Sequence, residues 1–547
     1  MADALPSIPT STPIQNRPDY ARAEYTHAKP ARDLCGALML GTSGVRALGK
    51  IGLPKWPAEK EEHYKIRAAI SQVARYYQRT VQASVGMICA TPPALNKDAD
   101  PLLLADAEDI DGQGTHLEVF SKHLTSDAIT GGFSAILVDA PPIPEGMSLS
   151  LADEQALGIR PFMVPIPADR IVSWIVETPK FADLLALWSL GLITSDQVKS
   201  AAKQTLLRQV VIHEPTDVTA GTYGTVCKDR YRALRLTDDG VTFEVWEKRT
   251  SDGATGEHFA LIASGPMYAA GRQAFREIPL AIVYGGRKVA PFVAEPALMA
   301  LAELNLDHYQ VSADRRYLMR LCHAPTLTTI GLVEAEDENG RPKPINVGPN
   351  SLLMLPLGGD AKYVAADPAA LDSSKAEREE LVKQMAVLGM SFIGKDKRSN
   401  TETATGRALD AAAENASHAT VARGLQDGLE QAWRYMAMYR GVKAPEVTVN
   451  TTYANADADP QVAQIIWLAV AAGQLPIDAL IEYLKTGSLP DDLQDGVDTL
   501  RFIANESAAA ADVPDPAIPA AKIPASMTHK VVRGKDGKVK RLVSSAA

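Results

Sequence analysis

Apolar residues recur at helical spacing in two early blocks, about Tyr20 to Leu40 and Ala58 to Ile88. Gly41-Thr42-Ser43-Gly44 reads as a loop between them, and Thr91-Pro92-Pro93 closes the second. A further helix is predicted from Thr115 to Ile129. Gly131-Gly132 leads it into an unbroken apolar run, Phe133 to Asp139, that reads as a buried strand. From Arg160 to Gly285 the period changes to two. Predicted strands are Met163–Ile166, Ile171–Val176, Leu207–His213, Tyr231–Leu236, Val241–Lys248, Phe259–Ala263 and Leu280–Tyr284, with a helical insert from Phe181 to Gln204. Helices followed by alternating strands of this kind make an α+β body with an antiparallel sheet.

The next stretch has a different grammar. Pro291 and Pro296 open a helix predicted to reach Leu321, which Pro325 ends. A small β-rich excursion follows, with strands at Thr326–Val333 and Ser351–Leu357, an Asn339-Gly340 hairpin signal, and an acidic tip of Glu334, Glu336, Asp337 and Glu338. Lys362-Tyr363-Val364 is a further strand, and Asp367-Pro368 caps a second helix carrying Leu381, Val382, Met385 and Leu388. Gly389 and Gly394 bracket a break that continues through Lys395, Asp396, Lys397, Arg398, Ser399 and Asn400. Ser399 and Glu402 form a capping-box pair, and no proline follows until Pro445. A helix from Glu402 to Tyr439 would be about 55 Å long. Its first half is nearly all small (Ala404, Gly406, Ala408, Ala411 to Ala413, Ala416, Ala419). Its second half places Val421, Leu425, Leu429, Trp433 and Met436 on one face. A helix inside one large domain and a helix repeated around a ring both fit this composition.

Beyond Gly441 a strand is predicted at Glu446–Tyr453, then helices at Pro460–Ala472 and Ile477–Lys485. An Ala/Pro-rich linker from Ala508 to Pro524 ends in a basic segment around Asp536-Gly537, a second hairpin signal. The 547 residues allow two to four domains, and 46% hydrophobic with 22% charged residues is ordinary for a globular chain. A formal charge of −10 argues against a sequence-reading nucleic-acid binder, yet suits a channel through which DNA slides without sticking. Cys35, Cys89, Cys227 and Cys322 form no Cys-x-x-Cys pair and read as reduced, mostly buried thiols. The first residues lack a signal-peptide pattern, and no run of about 18 apolar residues would span a membrane.

Candidate chemistry is sparse. Gly389 to Asp396 and Gly44 to Ile51 approach a phosphate-binding loop, but Asp396 and Ile51 stand where a magnesium-binding Ser or Thr is needed. The ten histidines include no metal-binding pair; His116 and His123 lie seven apart on a predicted helix. Ser43 and Ser134 lack the glycine pattern of a nucleophile elbow. Catalytic residues, cofactors and metal ligands are therefore expected to be absent.

Thr401-Glu402-Thr403-Ala404-Thr405, with Arg407, Asp410, Ala411, Glu414 and Asn415 after it, resembles the long kinked helix of tailed-bacteriophage portal proteins. The nearest likeness is to a subfamily long catalogued as a phage domain of unknown function. Pro18-Asp19-Tyr20, Gly132 to Asp139, Arg160-Pro161-Phe162, Ile278-Pro279-Leu280 and Leu301 to Asn305 resemble the same family in the same order. The resemblance implies a flexible leader at 1–17 and a mixed α/β wing at 18–291. Stem helices would lie at 292–321 and 367–390, flanking a β-rich clip at 322–366. A tunnel loop at 391–401, the long helix at 402–440, a mainly helical crown at 441–505 and a linker with basic tail at 506–547 complete it. It also implies a ring, usually of twelve subunits, at the portal vertex of a virion, made in the host cytoplasm. Double-stranded DNA would pass through it, and terminase, a head-tail adaptor, and capsid and scaffolding proteins would dock on it. Lys395, Lys397 and Arg398 then face the channel or form a solvated loop, and the acidic tip then meets a partner or solvent. An NTP-hydrolysing packaging or repair enzyme and a non-channel capsid or adaptor protein are the alternatives.

Overall fold

The helix Leu117–Gly131 turns through Gly132 into the strand Phe133–Asp139, as the apolar pattern implies. Gly132 holds φ at +85°, and a Cβ there would lie 2.6 Å from the Ala294 carbonyl, so the crossing depends on glycine. In the computed structural model the described residues are 6–141, 159–177, 206–250, 257–323, 326–330, 357–364, 369–388, 404–451, 460–471, 528–533 and 539–545, with Ser189 and Leu480. They fall in two compact units, Met1–Tyr453 and Ala454–Ala547. The class is α+β.

Two antiparallel sheets organise the first unit. In the three-stranded sheet Phe133–Asp139 lies between Leu280–Tyr284 and Phe162–Pro167, and its first six residues are buried, which is why it reads as a continuous apolar run. The six-stranded sheet runs Ser7–Pro9, Glu257–Pro266, Gly240–Thr250, Arg230–Thr237, Leu206–His213, Ile171–Glu177. The seven strands expected here all form, each within three residues of its predicted limits. Ser7–Pro9, expected in a flexible leader, instead covers the sheet edge by pairing with His258–Ala260. Three residues ending in proline carry no period from which to read this. Arg232 joins the sheets, donating from Nη1 to Asp139 at 2.6 Å and from Nε to Glu214 at 3.0 Å.

Several boundaries differ from expectation. The early loop shrinks to Gly41, because Thr42–Ala47 is helical. The block from Ala58 to Ile88 is two helices, Glu61–Ile70 and Tyr76–Ile88. Pro291 and Pro296 do not open a helix: Arg287–Ala290 and Val293–Glu295 pair as a hairpin, and the helix starts at Met299 and ends at His323. Of the strand predicted at 446–453, Val447–Thr448 forms, paired with Ala94–Leu95, and 452–453 lie outside the described residues. Cys35 and Cys89 are buried, whereas Cys227 is exposed and Cys322 half-buried. In the second unit the helix is Pro460–Ala471, and Thr528–Arg533 pairs with Val539–Ser545 as the hairpin signal implies. The inserts expected at 181–204 and 477–485 lie outside the described residues except for Ser189 and Leu480.

The long helix runs unbroken from Ala404 to Arg440. Leu425, Leu429, Trp433 and Met436 are fully buried, as their spacing requires, and Val421 is nearly so. It rests on the strand Leu280–Tyr284 at two glycines one turn apart. A Cβ on Gly424 would lie 2.4 Å from the Tyr284 carbonyl, and one on Gly428 would lie 2.3 Å from Val283 Cγ2. At its far end Arg440 makes a paired contact with buried Asp106, at 2.7 and 3.0 Å. The side chains of 404–415 lie outside the described residues.

These contacts invert the usual effect of replacing a helical glycine. Gly86→Ala, where nothing lies within 4 Å of the added Cβ, should stabilise by up to about 1 kcal/mol. Gly424→Ala should destabilise by about 1–3 kcal/mol through overpacking. Denaturant titration of both variants tests this, and a stabilised Gly424→Ala would refute the close seat.

Candidate functional site: the helix pair and its basic groove

Met299–His323 and Ala369–Val387 pack together, joined at one end by a two-stranded ribbon. Thr326–Ile330 pairs with Asp360–Val364 so that Thr326 faces Val364. The end of the first helix and the start of the second thus lie side by side, and the helices run antiparallel. Of the candidate strands, the one containing Lys362–Val364 supplies the observed partner; 351–356 lies outside the described residues.

The first helix is rooted in the body by polar contacts as well as apolar ones. Leu301, Ala302, Asn305, Tyr309 and Ala313 are buried on one side of it. The Asn305 carboxamide accepts from Tyr77 N and donates to Ala74 O, both at 3.0 Å, replacing backbone bonds a continuous helix would make. Tyr309 OH meets Ser71 Oγ at 2.9 Å, Arg316 donates to Ile70 O at 2.9 Å, and Arg46 donates to Ala69 O and Ser71 O. These partners satisfy groups that the break between Ile70 and Tyr76 exposes. On the same helix Asp314 accepts from Arg67 at 2.8 Å. Arg67 is only 1% exposed, makes a bidentate pair with Glu59, donates to Pro54 O at 2.6 Å and lies over the Trp56 ring.

Between this break and the two helices lies an open groove of about 730 Å³. His308, Ser312 and Arg315 line it from the first helix, Arg378 and Val382 from the second. His308 Nδ1, Ser312 Oγ and Arg315 Nε are buried without a hydrogen-bond partner among the described residues. Leaving such groups unsatisfied costs about 1–3 kcal/mol each. Burial, and secondarily the Arg378 charge, pull the His308 pKa down to about 4, so its imidazole is neutral at pH 7. Sequence reading missed these residues. The signal was polar residues at 308, 312 and 315, one helical stripe within an otherwise apolar face.

Lys395, Lys397 and Arg398, and likewise Glu334, Glu336, Asp337 and Glu338, lie outside the described residues. Gly44 to Ala47, in the first near-match to a phosphate loop, is helical, and the second lies outside the described residues. Ser134 is buried in its strand and donates to Ile166 O. His116 caps the Leu117–Gly131 helix, and His123 is exposed on it. Among the described residues no group of three His, Cys, Asp or Glu is placed to hold a metal, and no helix is long and apolar enough to cross a membrane.

Residues 297–440, which contain both helices, the ribbon and the long helix, match a family model described as "Domain of unknown function (DUF4055)". No curated protein matches the chain. A chain in "Neck of native GTA particle computed with C12 symmetry" is 13% identical, with 76% of this chain and 90% of that chain covered and a TM-score of 0.33. One in "Virion of native gene transfer agent (GTA) particle" is 11% identical over 82% of this chain and 99% of that one, at a TM-score of 0.36. One in "Neck of empty GTA particle computed with C6 symmetry" is 12% identical over the same shares, at 0.35. At TM-scores below 0.5 neither function nor quaternary structure carries over from them.

The Arg67 cluster makes the seating of the first helix pH-dependent. Hydrogen bonds from Arg67 hold the Glu59 carboxyl below the usual carboxylate range, while burial raises Asp314. A depressed Glu59 adds stability above its unfolded pKa of about 4.3 and loses it as pH falls through the lower folded value. Glu59→Gln should therefore cost about 1.5–3 kcal/mol at pH 7, because Arg67 loses one of its two carboxylates and keeps Asp314 and the Pro54 carbonyl. Its deficit against the natural chain should shrink toward pH 2, Asp314 being common to both. Denaturant titration across that range checks it, and a deficit unchanged with pH would refute the ion pair's role.

Proposed function

We propose that this protein is the portal subunit of a tailed bacteriophage or phage-like particle. In this reading it forms a ring at one vertex of the head, through which double-stranded DNA is packaged and later ejected. The observation that carries the reading is the succession within residues 299–440: helix, antiparallel ribbon, returning helix, then a long helix whose C-terminal half is buried in an α+β body. Its order agrees with the stem, clip and long helix that the resemblance implies. The helix pair is the stem, the ribbon is the base of the clip, and 391–401 is the tunnel loop. The body before it is the wing, and the region after Gly441 is the crown.

The ring is a passive conduit and virion component, with packaging energy supplied by a separate terminase docked on the clip and an adaptor taking its place afterwards. Capsid and scaffolding proteins surround the wing. The acidic tip Glu334, Glu336, Asp337 and Glu338 would meet a basic partner surface, and Lys395, Lys397 and Arg398 would touch passing phosphates without reading bases. The overall charge of −10 supports weak adhesion to DNA.

Mass in solution and electron microscopy test the assembly: closed rings with a through-channel are expected. A stable monomer with ATPase activity would favour the packaging or repair enzyme, and rings without a channel would favour the adaptor. Replacing Lys395, Lys397 and Arg398 with Gln should leave rings intact but alter packaged DNA length and its salt dependence. Reversing Glu336, Asp337 and Glu338 should weaken motor or adaptor binding. Unchanged packaging in the first variant, or unchanged docking in the second, would remove that loop's role.

A further inference from the structure

The groove offers donors where the chain supplies few acceptors. Arg315, Arg316, Arg378 and Lys383 line it against one carboxylate, Glu379. Three of its buried polar groups, on His308, Ser312 and Arg315, lack a partner among the described residues, and His308 is only 6% exposed. A ligand rich in acceptors and negative charge fits such a surface.

The second helix carries the complement on its other side. At about 100° per residue, Glu377 and Glu380 lie one turn apart on the half turned away from the groove-lining stripe of Arg378, Glu379, Val382 and Lys383, and both are exposed. Glu380 also meets Lys383 of its own helix at 3.4 Å. One helix thus borders a cationic groove on one side and presents an acidic ridge on the other. Surfaces that are complementary but different join copies head to tail, and such contacts close into rings when the rotation permits.

We infer that the groove of each copy receives the acidic ridge of the next copy's Ala369–Val387 helix, with Glu377 and Glu380 accepting from Arg315 and Arg378. The inference rests on the ring assembly proposed above and names the contact that builds it.

Two charge-reversed chains test it: a groove variant, Arg315→Glu with Arg378→Glu, and a ridge variant, Glu377→Lys with Glu380→Lys. Each alone should remain near the 58.6 kDa of one chain in light-scattering measurements. Mixed in equal amounts they should assemble, because each variant's altered face then meets its opposite charge. Circular dichroism verifies folding. If the groove variant unfolds, the ridge variant decides, since its substitutions are on exposed positions. A natural chain that stays monomeric overturns both the ring reading and this contact. A natural ring that survives the ridge substitutions, or two folded monomeric variants that fail to co-assemble, overturns the contact alone. The first of these results is also expected if a segment of the same chain fills the groove.

Discussion

The seat of the long helix on the strand Leu280–Tyr284 is the constraint on which the rest of the first unit depends. Gly424 and Gly428 remove side chains where helix and strand meet, so the strand's backbone lies against the helix itself. That strand pairs with Phe133–Asp139, and the Gly285 and Gly286 amides that follow it both donate to the Gly132 carbonyl. The Tyr284 hydroxyl accepts from Phe292 N in the hairpin that leads to Met299. The long helix and the helix pair are therefore referred to one strand. A shift of that strand would redirect both.

Polar contacts do the comparable work for the helix pair. A buried asparagine, a buried arginine with two carboxylates, and Arg316 capping a carbonyl fix the first helix against a break in the preceding helical block. Each is a directional bond to a group that would otherwise be unsatisfied, so together they specify orientation where apolar packing alone would allow sliding. Three unsatisfied groups, on His308, Ser312 and Arg315, lie together at the groove.

Net charge and local charge point in different directions. The chain is acidic overall, while the groove between break and helices is cationic, and the outward side of Ala369–Val387 is acidic. Separation of sign across a single helix favours ordered head-to-tail contact over indiscriminate adhesion.

Much was legible in the sequence because periodicity is a local property. The strand Phe133–Asp139, seven of the other eight strands of the two large sheets, the second helix of the pair and the long helix with its Leu425, Leu429, Trp433 and Met436 face all followed from apolar spacing. The hairpin at Thr528–Ser545 followed from a turn signal. Only tertiary structure decided the break between Ile70 and Tyr76, since Asn305 and Arg316, more than 200 residues away, supply the bonds that make it tolerable. The same holds for the edge strand Ser7–Pro9, for the glycines of the long helix, and for the groove at His308, Ser312 and Arg315. In each case the deciding partner is distant in the chain, and a pattern read along one segment carries no record of what that segment will touch.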